Sequence, residues 1–155
     1  MAAVANYSDA IVECRYVTIA DNIGGGVKSH CNSSGTGGYE ASLVLSNSIV
    51  ANNGAVGVVT EDLTPTIDYN DVYGHSTNYY DQAVAGLHDI SVDPEFVAAE
   101  NYHLDANSPC RDACLDIGIP LDLDASIRPQ VDSYDMGCYE MPVPPPPQGG
   151  VMCIR

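Results

Sequence analysis

The chain has 155 residues, 45% of them hydrophobic, with 14 Gly, 10 Pro, ten Tyr against one Phe, and no Trp. Five Lys and Arg stand against 21 Asp and Glu, a formal net charge of −16; that excludes nucleic acid and an anionic membrane surface as partners, because phosphate contacts need Lys and Arg. So few cations also leave no Glu–Lys pairs to support exposed helices, and the Gly-, Pro- and Asn-rich sequence points instead to a single all-β domain of short strands and turns. No apolar run is long enough to span a bilayer. The N-terminus M-A-A-V-A-N-Y-S shows no basic segment followed by a long apolar one, so no signal peptide is visible; a secreted form has lost it or carries it upstream.

Residues Ile11 to Asn22, I-V-E-C-R-Y-V-T-I-A-D-N, form a β-branched run ended by Asp-Asn, a strand followed by a polar turn. Gly24, Gly25 and Gly26 then open an aperiodic loop, K-S-H-C-N-S-S-G-T-G-G, read as an insertion over about residues 24–40. A second strand with the same kind of ending, S-L-V-L-S-N-S-I-V-A-N-N, covers Ser42 to Asn53. A short run from Val56 to Thr60 leads to T-I-D-Y-N-D-V-Y-G-H, Thr66 to His75. These stretches repeat: setting Thr18 on Ile49 gives an offset of 31, and setting Asn47 on Asn70 gives 23. A period in the low twenties of strand, small or Asn turn and strand is the mark of a solenoid. With no Leu-x-x-Leu-x-Leu pattern, a short right-handed parallel β-helix of about three coils over residues 1–89 is expected. Its inward ladder would hold Val17, Ile19, Ile49 and Val72. The periodic Asn22, Asn53 and Asn70 would bond along the stack as a structural ladder.

From Ile90 the style changes. Asp93-Pro94 and Ser108-Pro109 are stops, since the residue before proline is pushed out of the α region and proline donates no backbone hydrogen bond. Phe96, Tyr102 and Leu104 are isolated apolar anchors in the polar stretch between them. Residues 90–141 are therefore expected to fold back as an irregular cap over the C-terminal end of the stack. Residues 142–155, M-P-V-P-P-P-P-Q-G-G-V-M-C-I-R from Met141 onward, read as an extended Pro-rich tail.

In order, N-S-I-V-A-N-N-G, Y-N-D-V-Y-G, D-P-E-F-V, N-Y-H-L-D-A-N-S-P-C-R-D-A, D-L-D-A-S-I-R-P and D-M-G-C-Y-E resemble the C-terminal part of right-handed parallel β-helix proteins of the pectate-lyase-like superfamily. More narrowly they resemble bacterial surface proteins with a choice-of-anchor C-terminal module. The likeness covers roughly Ile11 to Glu140. It departs from the family pattern at Cys110, Arg111, Cys114, Ala125 and Cys138. It implies an extracellular or cell-surface setting but no activity, because this fold serves lyases, hydrolases, adhesins and structural proteins alike.

No catalytic residue is assigned. His30, His75, His88 and His103 are dispersed without a partner motif, and Asp21, Asp68 and Asp71 sit at turns with no recurring Lys or Arg. Cys110 and Cys114 lack the second C-x-x-C or nearby His pair of a zinc site, which leaves calcium as the candidate cofactor. Asp122, Asp124, Asp132 and Asp135 could gather oxygens around a hard cation, but D-L-D-A-S-I-R-P lacks the glycine and terminal Glu of an EF-hand. The plainer expectation is that Asp122 or Asp124 pairs with Arg128 and caps backbone amides. Asn6 and Asn32 lie in N-x-S sequons. Six cysteines allow fifteen pairings. Cys110 and Cys138 fall at cap positions that look like neighbours and are paired in this reading; Cys14 and Cys31 bracket the insertion and would close it; Cys114 and Cys153 remain, paired or free. The functional expectation is a non-catalytic extracellular module with a structural, adhesive or self-assembly role, filament formation included, binding copies of itself through an uncapped N-terminal coil. The alternative is a carbohydrate-binding module, or a polysaccharide lyase or hydrolase remnant, on the same fold.

Overall fold

The computed structural model describes residues 4–7, 11–30, 42–130 and 132–142. These form twelve strands and no helix: β1 Val4–Tyr7, β2 Ile11–Arg15, β3 Thr18–Ala20, β4 Val27–His30, β5 Ser42–Ser46, β6 Ile49–Ala51, β7 Val56–Glu61, β8 Thr66–Asp68, β9 Asp71–Tyr73, β10 Thr77–Asp81, β11 Phe96–Ala98 and β12 Asn101–Leu104. The first ten make three parallel sheets, ordered β1-β4-β7-β10, β2-β5-β8 and β3-β6-β9. Each sheet takes every third strand, so successive stretches of chain add one strand to every sheet.

What bends the chain between sheets is a recurrent left-handed residue. Tyr16, Asn47 and Tyr69 occupy one corner of the three repeats with φ of 52, 53 and 59°; Asp21, Asn52 and Gly74 occupy the next with 58, 55 and 78°. Asn, Asp and Gly tolerate this region; tyrosine does so at a cost that its surroundings must offset. The stretches Ile11–Asn22 and Ser42–Asn53, expected as single strands, are thus each two strands meeting at such a corner. Val27–His30, expected inside the inserted loop, is a strand paired on both sides. Its V-K-S-H alternation buries Val27 and Ser29.

Inward side chains pile in columns: Cys14, Leu45 and Ile67; Ile19, Val50 and Val72; Val27, Val58 and Tyr79. Leu43, Leu45, Val50, Val58 and Val72 are wholly buried, each contributing about 1.5–3 kcal/mol of burial free energy. Thr18 does pair with Ile49, but Ile49 pairs with Asp71, one residue off the expected alignment. A one-residue slip turns a side chain to the other face of a sheet. Val50, not Ile49, is therefore the inward residue, and Ile49 faces outward into a second apolar cluster with Tyr16, Leu104, Cys110 and Met136.

That second cluster is where the C-terminal segment lies. The chain first crosses the end of the sheets. Gly86 passes so close to β8 that a Cβ there would stand 2.2 Å from the Ile67 carbonyl oxygen, and Ile90 bridges Asp71 in parallel. Beyond Pro94 it does not stay on that end. It runs back along the outer face of β3-β6-β9, following the column Thr18, Ile49, Asp71. The Cys138 amide donates to Thr18 Oγ1 at 3.1 Å, the Gly137 amide donates to the Asn47 carbonyl at 2.9 Å, and the Cys110 thiol donates to Asp71 Oδ2 at 3.2 Å. Gly137, with φ 90°, is required there: a Cβ would lie 2.7 Å from Thr18 Oγ1 and 2.9 Å from Ile49 Cδ1. The expected lid over the end is thus largely a flap along the side.

Candidate functional site

The interior of the flap is polar and charged. Arg128 is buried, donating from Nη1 to Glu140 Oε2 at 2.8 Å and from Nη2 to the Gly137 carbonyl at 2.9 Å. Its guanidinium lies 4.3 Å from the centre of the Tyr16 ring, a cation–π contact. Tyr16 and Asn47, two of the left-handed corner residues, both donate from their side chains to the Leu115 carbonyl. The corners that turn the sheets therefore also anchor the flap.

The calcium candidates separate in space. Asp122 accepts the Ser126 amide at 2.7 Å and the Glu140 amide at 2.8 Å; Asp135 accepts the Asp112 and Met141 amides, each at 2.7 Å. Asp124 accepts from His103 Nε2 at 2.8 Å, and that imidazole stacks on Tyr139 with centroids 3.9 Å apart. Asp132 lies exposed. Among the described residues no three His, Cys, Asp or Glu side chains come together as a metal cluster. Amide capping by Asp122 is as expected, but Arg128 pairs with Glu140 rather than with Asp122 or Asp124.

The cysteines differ most from expectation. Cys14, Cys110, Cys114 and Cys138 are all thiols. Cys110 does not meet Cys138, because its thiol faces the wholly buried Asp71 on β9. Cys138 lies instead beside Thr18, its thiol raised mainly by burial and eased by that hydroxyl. Cys14 is a core residue of β2, while Cys31 and Cys153 lie outside the described residues. So does Asn32; Asn6 falls on β1, opposite Ser29.

The buried Asp71 carboxyl is pushed up to about 6, first by desolvation, with Asp93 and Asp89 adding to the rise; the Cys110 thiol and the Val92 amide oppose it. Burial likewise raises Asp135 and Glu140, the latter against the pull of its amide bonds and Arg128. Asp71 was legible as an acid of the repeat, but not its burial, which depends on the flap.

The Asn ladder is divided between two corners. Asn22 donates to Asn53 Oδ1 at 2.8 Å, and Asn53 donates to the Ile19 carbonyl at 2.7 Å, 31 and 34 residues apart. Asn70 belongs to the other corner, where it accepts from the Ser48 amide at 3.1 Å and its own amide donates to Asp89 at 2.8 Å. The histidines stay apart. His88 bonds Asp68 and stacks on Tyr69, His75 bonds Asn78, and His30 pairs with Glu61 on the outer face of β4 and β7.

Two clefts border the flap. One of about 500 Å³ is lined by Asp21, Asn52, Glu95, Phe96, Glu100 and Tyr102. The other, about 440 Å³, lies between Arg15–Thr18 and the aliphatic Ile119, Leu121 and Leu123. It adjoins a feature of the whole assembly of sheets. Among the described residues no strand pairs with the second edge of β1, β2 or β3. An all-β protein of stacked parallel sheets with a charged side flap is the class these observations define. The chain matches no protein-family model, no curated protein and no solved structure.

Proposed function

We propose that the chain is a short right-handed parallel β-helix acting as a non-catalytic structural module at the cell surface, with self-association through its open end as its role. The handedness follows from the near-universal right-handed crossover between parallel strands. The observation that carries the reading is that, among the described residues, no strand pairs with the second edge of β1, β2 or β3. Unpaired N–H and C=O rows invite another strand, and Ile11 on the edge strand β2 is 71% exposed. The surface setting draws on the resemblance to pectate-lyase-like surface proteins and on the acidic charge. Analytical ultracentrifugation over a hundredfold range of concentration tests it: the expected result is an assembly that dissociates on dilution, and a monomer at every concentration refutes it.

A second reading, a carbohydrate-binding module, draws on the cleft bordered by Phe96 and Tyr102. Carboxylates there can accept from sugar hydroxyls, and the T-shaped ring pair, 5.2 Å between centroids, offers an aromatic edge. So acidic a cleft suits neutral glycans and repels acidic ones. Binding of a neutral polysaccharide that is lost in Tyr102→Ala would establish it; no binding across a neutral panel removes it.

A further inference from the structure

We propose that the open end docks a second copy of this chain across a twofold axis through Cys14, giving a closed dimer rather than a filament. The proposal rests on the self-association reading and specifies its geometry.

Head-to-tail stacking needs two free ends. The far end is crossed at two of its three sheets: the Val72 amide donates to the Ile90 carbonyl at 3.1 Å, the Ile90 amide to the Asn70 carbonyl at 2.8 Å, and Gly86 lies against β8, while β10 has no described strand on its second edge. Among the described residues, only the β1, β2, β3 end leaves an edge without a neighbour in all three sheets, so two copies meet through the same surface, which is an isologous, closing contact. Strands facing each other across such an axis run antiparallel.

The stepped shape of this end selects the axis. β1 belongs to the repeat before β2 and β3, since it pairs with β4, so the end rises by one strand spacing around its circumference. A twofold axis through the middle strand β2 inverts one step onto the other. β2 then meets its copy, β1 meets the partner's β3, and the gap is the same all round.

Register follows from side-chain parity and charge. Val12 and Cys14 face the core, while Ile11, Glu13 and Arg15 face outward. To keep like faces together the axis must pass through a residue, not between two. Centred on Glu13, the axis would set that carboxylate against its own copy. Centred on Cys14, it sets Glu13 opposite the second copy's Arg15 twice over, exchanging the internal Arg15–Glu13 pair of 3.2 Å for two cross-strand pairs. Arg15 Nε, shielded from solvent and without a hydrogen-bond partner, lies at this seam. The backbone agrees. The Tyr16 amide donates inward to the Ser46 carbonyl at 3.2 Å, so by alternation Glu13 and Arg15 present their N–H and C=O groups at the open edge. Cys14 then sits at a non-hydrogen-bonded position, with its Cα about 4.5 Å from its copy, inside the roughly 4.4–6.8 Å range of a disulfide.

The test is ultracentrifugation combined with mild oxidation by diamide, which takes up the two electrons and two protons released as two thiols join. Expected are a dimer as the limiting species and a Cys14–Cys14 disulfide peptide by mass spectrometry. Cys14→Ser should stay dimeric and lose that link. Glu13→Arg should weaken the dimer about tenfold or more, and Glu13→Arg with Arg15→Glu should restore it. A monomer at all concentrations overturns both this proposal and the self-association reading. Open-ended growth, or a dimer without the Cys14 link and indifferent to Glu13→Arg, overturns the twofold geometry and leaves self-association standing.

Discussion

In the stacked sheets a backbone N–H finds its acceptor in the next strand, whereas in the flap from Phe96 to Met141 the acceptor is often a carboxylate. β2, β5 and β8 satisfy one another along their length. The flap has one two-stranded ladder, and beyond it Asp105, Asp112, Asp116, Asp122, Asp135 and Glu140 each cap at least one amide. The interior of the sheets is mostly aliphatic; that of the flap holds a buried Arg128–Glu140 pair and Asp71 at its seam. Ladder hydrogen bonds do not titrate, and carboxylate caps do. The two regions should therefore fail under different conditions, and the difference can be probed directly.

The largest effect is expected from Arg128→Met. Removing one member of a buried ion pair leaves the other uncompensated, a loss of about 3–5 kcal/mol. Hydrogen exchange should show residues 108–141 losing protection while β5 to β9 keep theirs, and Arg128→Met with Glu140→Leu should recover much of it. Equal loss in both regions would mean that the flap and sheets form one cooperative unit. Leu45→Ala should cost about 2–5 kcal/mol through the cavity it leaves. It should lower the thermal midpoint of the sheets and the flap together, since the flap has no second surface to rest on.

The smallest effect is the pH response of Asp71→Asn. The folded protein holds the Asp71 proton more tightly than the unfolded chain does, with a pKa about 6 against 3.8. Its contribution is thus fully present below about pH 4 and lost as pH rises through about 6, on the order of 1–3 kcal/mol. Asp71→Asn should be more stable than the parent at pH 8, and the gain should disappear at pH 4. At Glu61, on β7, the sign is opposite. Glu61 is held below its ordinary value chiefly by the hydrogen bond from Lys28, at 2.7 Å, so its contribution is lost as pH falls. Chemical denaturation at pH 4, 6 and 8 reads both trends.

Much of the stacking was legible because V-T-I-A-D-N and S-I-V-A-N-N are near copies, and the spacing of 31 and the Asn22–Asn53 rung follow from them. The next repeat was not a copy. Asn70 answers to Ser48 rather than to Asn47, and that single residue moved Ile49 from the core to the flap. β4 was hidden because Ser29 holds an inward place that the pattern reserves for an aliphatic. The flap's irregularity was plain from its prolines, but its location depends on Thr18 and Asp71, more than 30 residues from their partners in the flap. The expected Cys110–Cys138 bond came from neighbouring positions in a family pattern. No local signal told that Cys110 would face a buried carboxyl, or that Glu140, twelve residues beyond Arg128, would be its counter-ion.

The spacing of the first two repeats has a consequence for register. β4 meets β7, and β5 meets β8, in unbroken register, yet the first interval is 31 residues and the second 22. The extra length falls between His30 and Ser42, so chain length at that junction is uncoupled from strand pairing. Register is accordingly set by the strands themselves and not by the length of chain between them.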